Sequence, residues 1–276
     1  MKVYGIPKFN IVIPTWNSMP ELGLCLQSIK DSIPGEYINK IIVVDRESTD
    51  GTIEYAQSLC CTVLFDTVSL GSARLSAINY SQGVDILFID SDIIVTREWW
   101  ENMLYLWINN RSFGMLFGRT VDSGKFGIIK KDKIQHDFNM SPLHLLKKGD
   151  RGYTHNTFIR CDLLNDISDL SCVNSWEDFL ITQHIINKGF LVIETPCSVI
   201  HQHNDICSAK VGWCIRGMFD THQPLYRILG THLYYLFEGF RSFICHSDID
   251  FLRWGILNFL DGFTGYFKHN FKRGAV

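Results

Sequence analysis

Asp90 and Asp92 stand one residue apart at the end of the apolar run Ile86-Leu87-Phe88-Ile89. In extended chain, positions two apart point the same way. Two carboxylates on one side repel unless a cation sits between them, and oxygen ligands of this kind suit Mg2+ or Mn2+. The plainer reading is a turn capped by two acids. Other residues with chemical potential are scattered along the chain: Asp45 after Ile41–Val44, Asp178 in Trp176-Glu177-Asp178, and His201 and His203 two apart near the end of a strand pattern.

These groups need elements to hold them. Phe9–Ile13 reads as a strand ended by Pro14, followed by a helix to Ser32 with Ser18 near its cap and Pro20 in its first turn. Ile41–Val44 is a second buried strand, with Ser48, Thr49 and Asp50 offering caps for a helix through Leu59. Thr62–Phe65, Gly71–Ser81 and Asp85–Ile89 continue as strand, helix and strand, and a helix opens at Thr96. Strand–helix alternation predicts an α/β fold, a mostly parallel sheet with helices on both faces. Ligands of such sheets sit beyond the carboxyl ends of the strands. Asp45, Asp90 and Asp92 all lie at such ends.

The later chain changes character. Residues 113–130 read as strands joined by a turn at Asp122–Gly124, and 131–155 as a long polar loop of the lid or binding kind. Asp178–Asn187 is a helix with Gly189 as its stop. Phe190–Ile193 and Ser198–Ile200 read as two short strands. From Pro224 the composition turns aromatic.

The 276 residues, 46% hydrophobic and 20% charged, describe a folded chain with room for a sizeable core. A net charge of −3 argues against a nucleic-acid partner bound by phosphate neutralisation. The nine cysteines are odd in number and have no Cys-x-x-Cys spacing, so neither a disulfide framework nor a zinc module is supported. The start MKVYGIPKFN has no apolar leader core, and no run approaches the ~18 apolar residues of a spanning helix. The expected location is cytoplasmic.

The motifs IVIPTWN (11–17), IIVVDRESTDGT (41–52), GSARLSAI (71–78), FIDSDI (88–93) and WEDFLITQHIINKGFLVIETPCSVIHQH (176–203) resemble, in order, those of the family 2 glycosyltransferases. These are inverting enzymes of the GT-A fold that use nucleotide sugars. The resemblance implies a catalytic domain over 1–223, with a nucleotide-binding part at about 8–110 and an acceptor-side part at about 111–223. It implies that Asp45 contacts the base, with Pro14, Thr15, Asn17 and Ser48 lining the same pocket. Asp50 belongs to the pattern, although a helix cap explains it as well. Arg46 and Glu47 depart from the acid or Asn and the Gly usual there, which leaves the base open. Gly71 and Arg74 match the segment that approaches the diphosphate, and an arginine fork suits phosphate oxygens. Leu75 replaces an Asn common there.

By the same resemblance, Asp92 binds the divalent metal (Mn2+ or Mg2+), Asp90 shares it or reaches the ribose beside Ser91, and His201 completes the shell, with His203 as its substitute. Asp178 matches the general base, and a carboxylate at a helix N-terminus is favoured by the exposed amides. Glu177 would help orient the acceptor, with His155, Asn156 and Trp176 as acceptor contacts. The implied partners are a UDP-, GDP- or TDP-linked sugar donor and a glycan or lipid-linked acceptor. Residues 224–276 read either as amphipathic helices packed on the domain or as a peripheral anchor on the cytosolic face of a membrane, with Lys268, Lys272 and Arg273 flanking the aromatics.

Two rivals share the acid pair. A haloacid-dehalogenase-like phosphohydrolase also ends an apolar strand in Asp-x-Asp, but on its first strand, whereas three strands precede this one. A catalytically inactive, membrane-associated GT-A protein would have no need of Asp90, Asp92 and Asp178 together.

Overall fold

The computed structural model describes residues 6–122, 142–171, 173–202 and 221–246, with single positions at 218, 256 and 260. Its strands are β1 (Phe9–Thr15), β2 (Ile38–Asp45), β3 (Thr62–Phe65), β4 (Ile86–Ile89), β5 (Ile93–Ile94), β6 (Phe113–Asp122), β7 (His144–Leu145), β8 (Asn156–Ile159) and β9 (Leu191–His201). The helices are α1 (Glu21–Ser32), α2 (Thr52–Ser58), α3 (Leu70–Ser81), α4 (Arg97–Asn109), α5 (Glu177–Asn187) and α6 (Leu225–His246). The chain divides into two compact units, one of Met1–Cys172 with Asp178–Asn204, the other of Val173–Glu177 with Asp205–Val276.

All nine strands form one sheet in the first unit, ordered β3-β2-β1-β4-β8-β6-β9-β5, with β7 also on β9. The pairs among β3, β2, β1 and β4 are parallel, as the strand–helix alternation predicts. Beyond β4 the sheet is mixed: β8 runs antiparallel to β4 and β6, while β6 and β9 are parallel. The chain order reverses between β1 and β4, because β2 and β3 lie on one side of β1 and β4 on the other. Crevices at such switch points hold ligands in open α/β sheets.

Period-two alternation divides the core between the two faces. Ile11, Ile13, Val43, Leu87 and Ile89 pack with Leu22, Leu26 and Ile29 of α1 and with Trp99, Trp100 and Met103 of α4. Val12, Ile42, Val44 and Phe88 pack with Ala73, Ala77 and Ile78 of α3 and with Ile181 and Ile185 of α5. Phe158 on β8 stands among Phe9, Trp99, Trp100 and Trp107, with ring centroids 5.0–6.1 Å away. Aromatic pairs at this spacing add to the area they bury.

Three local expectations need correcting. The Ser18 side chain caps no helix amide, although its carbonyl accepts from Leu22 N–H at 2.8 Å; its Oγ accepts from the Trp16 N–H and meets Ser91 Oγ at 3.1 Å. The two short strands expected around Pro196 are one strand, β9. Its register against β6 passes from Phe117↔Glu194 to Arg119↔Ser198, so Gly118 alone faces Thr195, Pro196 and Cys197. A bulge of this kind accommodates a proline that has no N–H to give. Thirdly, 142–155 is not plain loop: it contains β7 and a turn in which Lys147 N–H bonds Asp150 Oδ2. Past Asp122 the turn expected at Asp122–Gly124 lies outside the described residues, as do residues 131–141 of the polar loop.

In the second unit, α6 presents Tyr226, Leu229, Leu233, Phe237, Phe240 and Ile244 exposed, while Ile228 is buried. Among the described residues no helix is long and apolar enough to cross a membrane.

Candidate active site

The carboxyl ends of β1, β2 and β4 bring the first group of predicted residues together. Thr15 lies opposite Asp45 in register. Asp45 is fully buried, and its oxygens accept from Thr15 Oγ1 (2.6 Å), Ser48 N–H (2.7 Å) and Ser48 Oγ (2.7 Å). Asp45 thus anchors the loop that follows β2. Asn17 joins the same knot, its N–H donating to Ser48 Oγ (2.7 Å) and its side-chain oxygen accepting from Thr49 N–H (2.9 Å). Pro14 pairs with Val44 on the strand below. Asn17 and Glu47 both adopt left-handed backbone, with φ of 47° and 56°. Non-glycine residues seldom do so unless surrounding structure holds them there.

Asp50 fills the structural role. It accepts from the Thr52 hydroxyl and amide at the start of α2 and from Met19 N–H, and so ties the β1–α1 loop to that helix.

Beside this knot, Gly71 and Arg74 lie buried in the first turns of α3. Arg74 does not lie open to solvent; its guanidinium bonds Asp90 Oδ1 at 3.0 Å and lies over the Phe88 ring. The arginine thus aims the first acid of the pair. A charged donor on a buried stem is a rigid support for this purpose.

Asp92 meets His201 across the short ladder between β5 and β9, where Ile93 lies opposite His201. Asp92 Oδ2 and His201 Nε2 are 3.0 Å apart, and Gln202 N–H clamps the Asp92 carbonyl at 2.8 Å. Two adjacent ligands about 2.1 Å from one octahedral ion are themselves about 3 Å apart, so this donor set fits Mn2+ or Mg2+. Among the described residues no three His, Cys, Asp or Glu side chains form a ready-made ligand cluster. Ions of this class commonly take one or two protein carboxylates and complete their shell with substrate phosphates and water. His203 lies outside the described residues.

The second group comes from β8 and α5. The His155 carbonyl accepts from Asp90 N–H at 3.1 Å, which joins the acid pair directly to β8. Burial, with smaller contributions from His201 and Arg74, holds the His155 imidazole below its ordinary pKa, although Asp90 and Asp178 pull the other way. Its Nε2 is buried and has no hydrogen-bond partner among the described residues. Asn156, expected to meet an acceptor, clasps β6 instead: its amide accepts from Gly118 N–H (2.8 Å) and donates to Gly118 O (3.2 Å).

Asp178 is buried in the first turn of α5 and accepts from Phe179 N–H at 2.8 Å. Arg151 grips both of its oxygens, through Nε and Nη2. This arginine was missed in the sequence because nothing periodic links a polar turn to a helix 27 residues later. The turn reaches α5 because Gly149 and Gly152 N–H groups bond Gln183 and Thr182, and Gln183 returns a bond to Asp150 O. A Cβ at Gly152 would lie 2.6 Å from Thr182 Oγ1, so the close approach depends on glycine there. Trp176 and Glu177 belong to the second compact unit. Glu177 opens α5, and Trp176 precedes it with φ of 68°.

Two acids held by an arginine and a histidine thus stand at the switch point, and a third lies in the first turn of α5. The glycosyl transferase family 2 model matches residues 10–168, more than half of the chain. The chain belongs to this family. Its curated relatives include the glycosyltransferase AglE of Haloferax volcanii, 24% identical over 169 residues. That match takes in 59% of this chain and 55% of AglE, so the chain spans about half of that relative.

Among solved structures, the chain resembles the mannosyltransferase PcManGT of Pyrobaculum calidifontis, in complex with GDP-Man and Mn2+. The TM-score is 0.60 at 16% identity, covering 79% of this chain and 63% of that one. S. aureus TarS 1–349 in complex with UDP-GlcNAc gives 0.54 at 15%, covering 97% and 92%. The fold is GT-A. The phosphohydrolase reading of the acid pair falls with that assignment.

Proposed function

We propose that this family 2 member is an inverting transferase that moves a hexose-type sugar from a nucleoside-diphosphate donor to a hydroxyl of a glycan or lipid-linked acceptor. One observation carries the reading: at the carboxyl end of β4, Asp90 is held by Arg74 at 3.0 Å and by the His155 carbonyl at 3.1 Å, and Asp92 two residues on stands 3.0 Å from His201 Nε2. An acid pair supported in this way suits a divalent ion and the diphosphate it neutralises.

In this reading Asp92 and His201 hold the divalent ion, with Asp90 beside them aimed by Arg74. When bound, the ion neutralises charge developing on the departing diphosphate. Asp178 accepts the proton of the acceptor hydroxyl while that oxygen attacks the anomeric carbon from the side opposite the leaving group. The bond from anomeric carbon to phosphate oxygen breaks, and the nucleoside diphosphate departs. A carboxylate offers about four lone-pair positions. Arg151 and Phe179 N–H engage three of them, which leaves one for the acceptor.

The exposed face of α6 supports peripheral contact with a lipid surface, where a lipid-linked acceptor would be met. Among its described residues, eight large apolar or aromatic side chains are exposed, from Leu225 to Ile244, and an exposed apolar face of this kind suits a helix lying in a lipid interface.

The test is thermal shift of the chain with UDP, GDP, dTDP and CMP, each with and without Mn2+. A ligand that binds only the folded state raises its stability. A metal-dependent rise with at least one nucleoside diphosphate is expected; no rise with any would overturn the reading.

A further inference from the structure

The nucleotide site has a direction. Asp178, His201, Asp92 and His155 come from α5, β9, β5 and β8, which places the reacting end on the β4–β8–β9 side of the switch point. If the diphosphate lies at Asp90 on β4, the rest of the nucleotide must extend the other way, over β1 and then β2. Two strand spacings cover about 10 Å, the reach of a ribose and a base.

At that distance stand Trp16 and Arg46, just beyond the carboxyl ends of β1 and β2. Trp16 is 58% exposed, a large ring left open at the mouth of a buried crevice. The Arg46 guanidinium lies over it, 5.1 Å from the ring centroid, and Arg46 N–H is fixed to Thr15 O at 3.0 Å. Glu47 follows, exposed, in its left-handed conformation. Asp45 is closed off by Thr15 and Ser48, so the charged groups presented here are the donors of Arg46 and the carboxylate of Glu47.

An arginine has five N–H donors and no acceptor, and its fork needs two neighbouring acceptors on one edge. Guanine supplies them in O6 and N7 and cytosine in O2 and N3, where a single amine is the only donor left for a carboxylate; adenine sets a donor beside N7, and uracil sets its N3–H between its two carbonyls. Guanine also offers N1–H and N2–H2 donors, the match for a carboxylate such as Glu47. We propose that Arg46 is the base-reading residue of the donor site and selects guanosine diphosphate sugars, with Trp16 as the stacking platform.

This inference rests on the nucleotide-sugar reading above, and one titration separates the two. Isothermal titration of the chain with GDP, UDP, dTDP and ADP in the presence of Mn2+ should show GDP bound on the order of ten-fold tighter, as one bidentate base contact supplies. Arg46→Gln should weaken GDP to the level of UDP and leave UDP unchanged. Arg46→Lys should lose the preference too, since it keeps the charge without the fork. Trp16→Ala should weaken all four together. Each variant is accepted only with an unchanged melting temperature without nucleotide, which the partly exposed positions of both side chains favour. UDP bound as tightly as GDP, or a GDP preference that survives Arg46→Gln, overturns the assignment of Arg46 and leaves the transferase reading intact. Binding of none of the four overturns both.

Discussion

Arg151 holds Asp178 by two parallel hydrogen bonds, Nε to Oδ1 at 2.8 Å and Nη2 to Oδ2 at 2.9 Å. Planar two-point contacts fix direction as well as charge. The carboxylate that would take the acceptor proton is therefore held in one orientation by a residue from a different segment.

If Asp178 is the base, Asp178→Asn should lower turnover by about 10^2–10^4-fold, the usual worth of a positioned base. Nucleotide-induced stabilisation should stay near its original size. Turnover measured with donor and acceptor, beside a thermal shift, checks both halves; undiminished turnover removes Asp178 from the role.

Arg151→Met should destabilise the fold by about 2 kcal/mol, because it leaves a buried carboxylate without its charged partner. In an Asp178→Asn background the same change should cost clearly less. Urea denaturation of the four proteins closes the cycle. Equal costs in both backgrounds would mean that the pair contributes nothing to stability.

Asp92→Ala should remove the Mn2+ dependence of nucleotide binding, and His201→Ala should weaken it. Titration of nucleotide with and without Mn2+ reads this directly. Persistent metal dependence in Asp92→Ala would place the ion on other ligands.

Asp66 gives the pH prediction. Burial alone would raise its carboxyl, but hydrogen bonds from Ser72, Ser76, Val68 and Ser69 together hold its pKa below the ordinary 3.8. A depressed folded value means that the unfolded chain binds the proton more readily, so this contribution is complete above pH 3.8 and is lost as pH falls through the folded value. Asp66→Asn should cost about 1 kcal/mol at pH 7, discounted for exposure, and flatten the acid limb of the melting curve below pH 4. A parallel limb in the variant would refute the linkage.

If α6 lies on lipid, Phe237→Glu with Phe240→Glu should abolish co-sedimentation with anionic vesicles. Retained binding would leave the aromatic stripe without that role.

The parallel half of the sheet was legible because its signals are local: apolar runs of strand length, a cap at Thr96, and acids just past the strand ends. Thr96 does accept from Trp99 N–H; Ser69, which caps α3 by accepting from Ser72 N–H, was not read as a cap. What escaped was set by distant partners. Pro196 looked like a break because the bulge that absorbs it is a property of β6 and β9 together. Asn156 looked available because its amide partner, Gly118, is 38 residues away. For Arg151, the one signal was its place in the turn Gly-Asp-Arg-Gly.

The bulge opposite Gly118 also constrains how this chain can change length. Between Phe117 and Arg119 the β6 strand advances two residues while β9 advances four, so the surplus is even and sidedness along β9 is preserved up to His201. A single-residue deletion among Thr195, Pro196 and Cys197 would invert that parity and turn His201 to the opposite face, away from Asp92. Loss of two would keep it facing the acid. Descendants of this sequence should therefore gain or lose residues at this point in pairs.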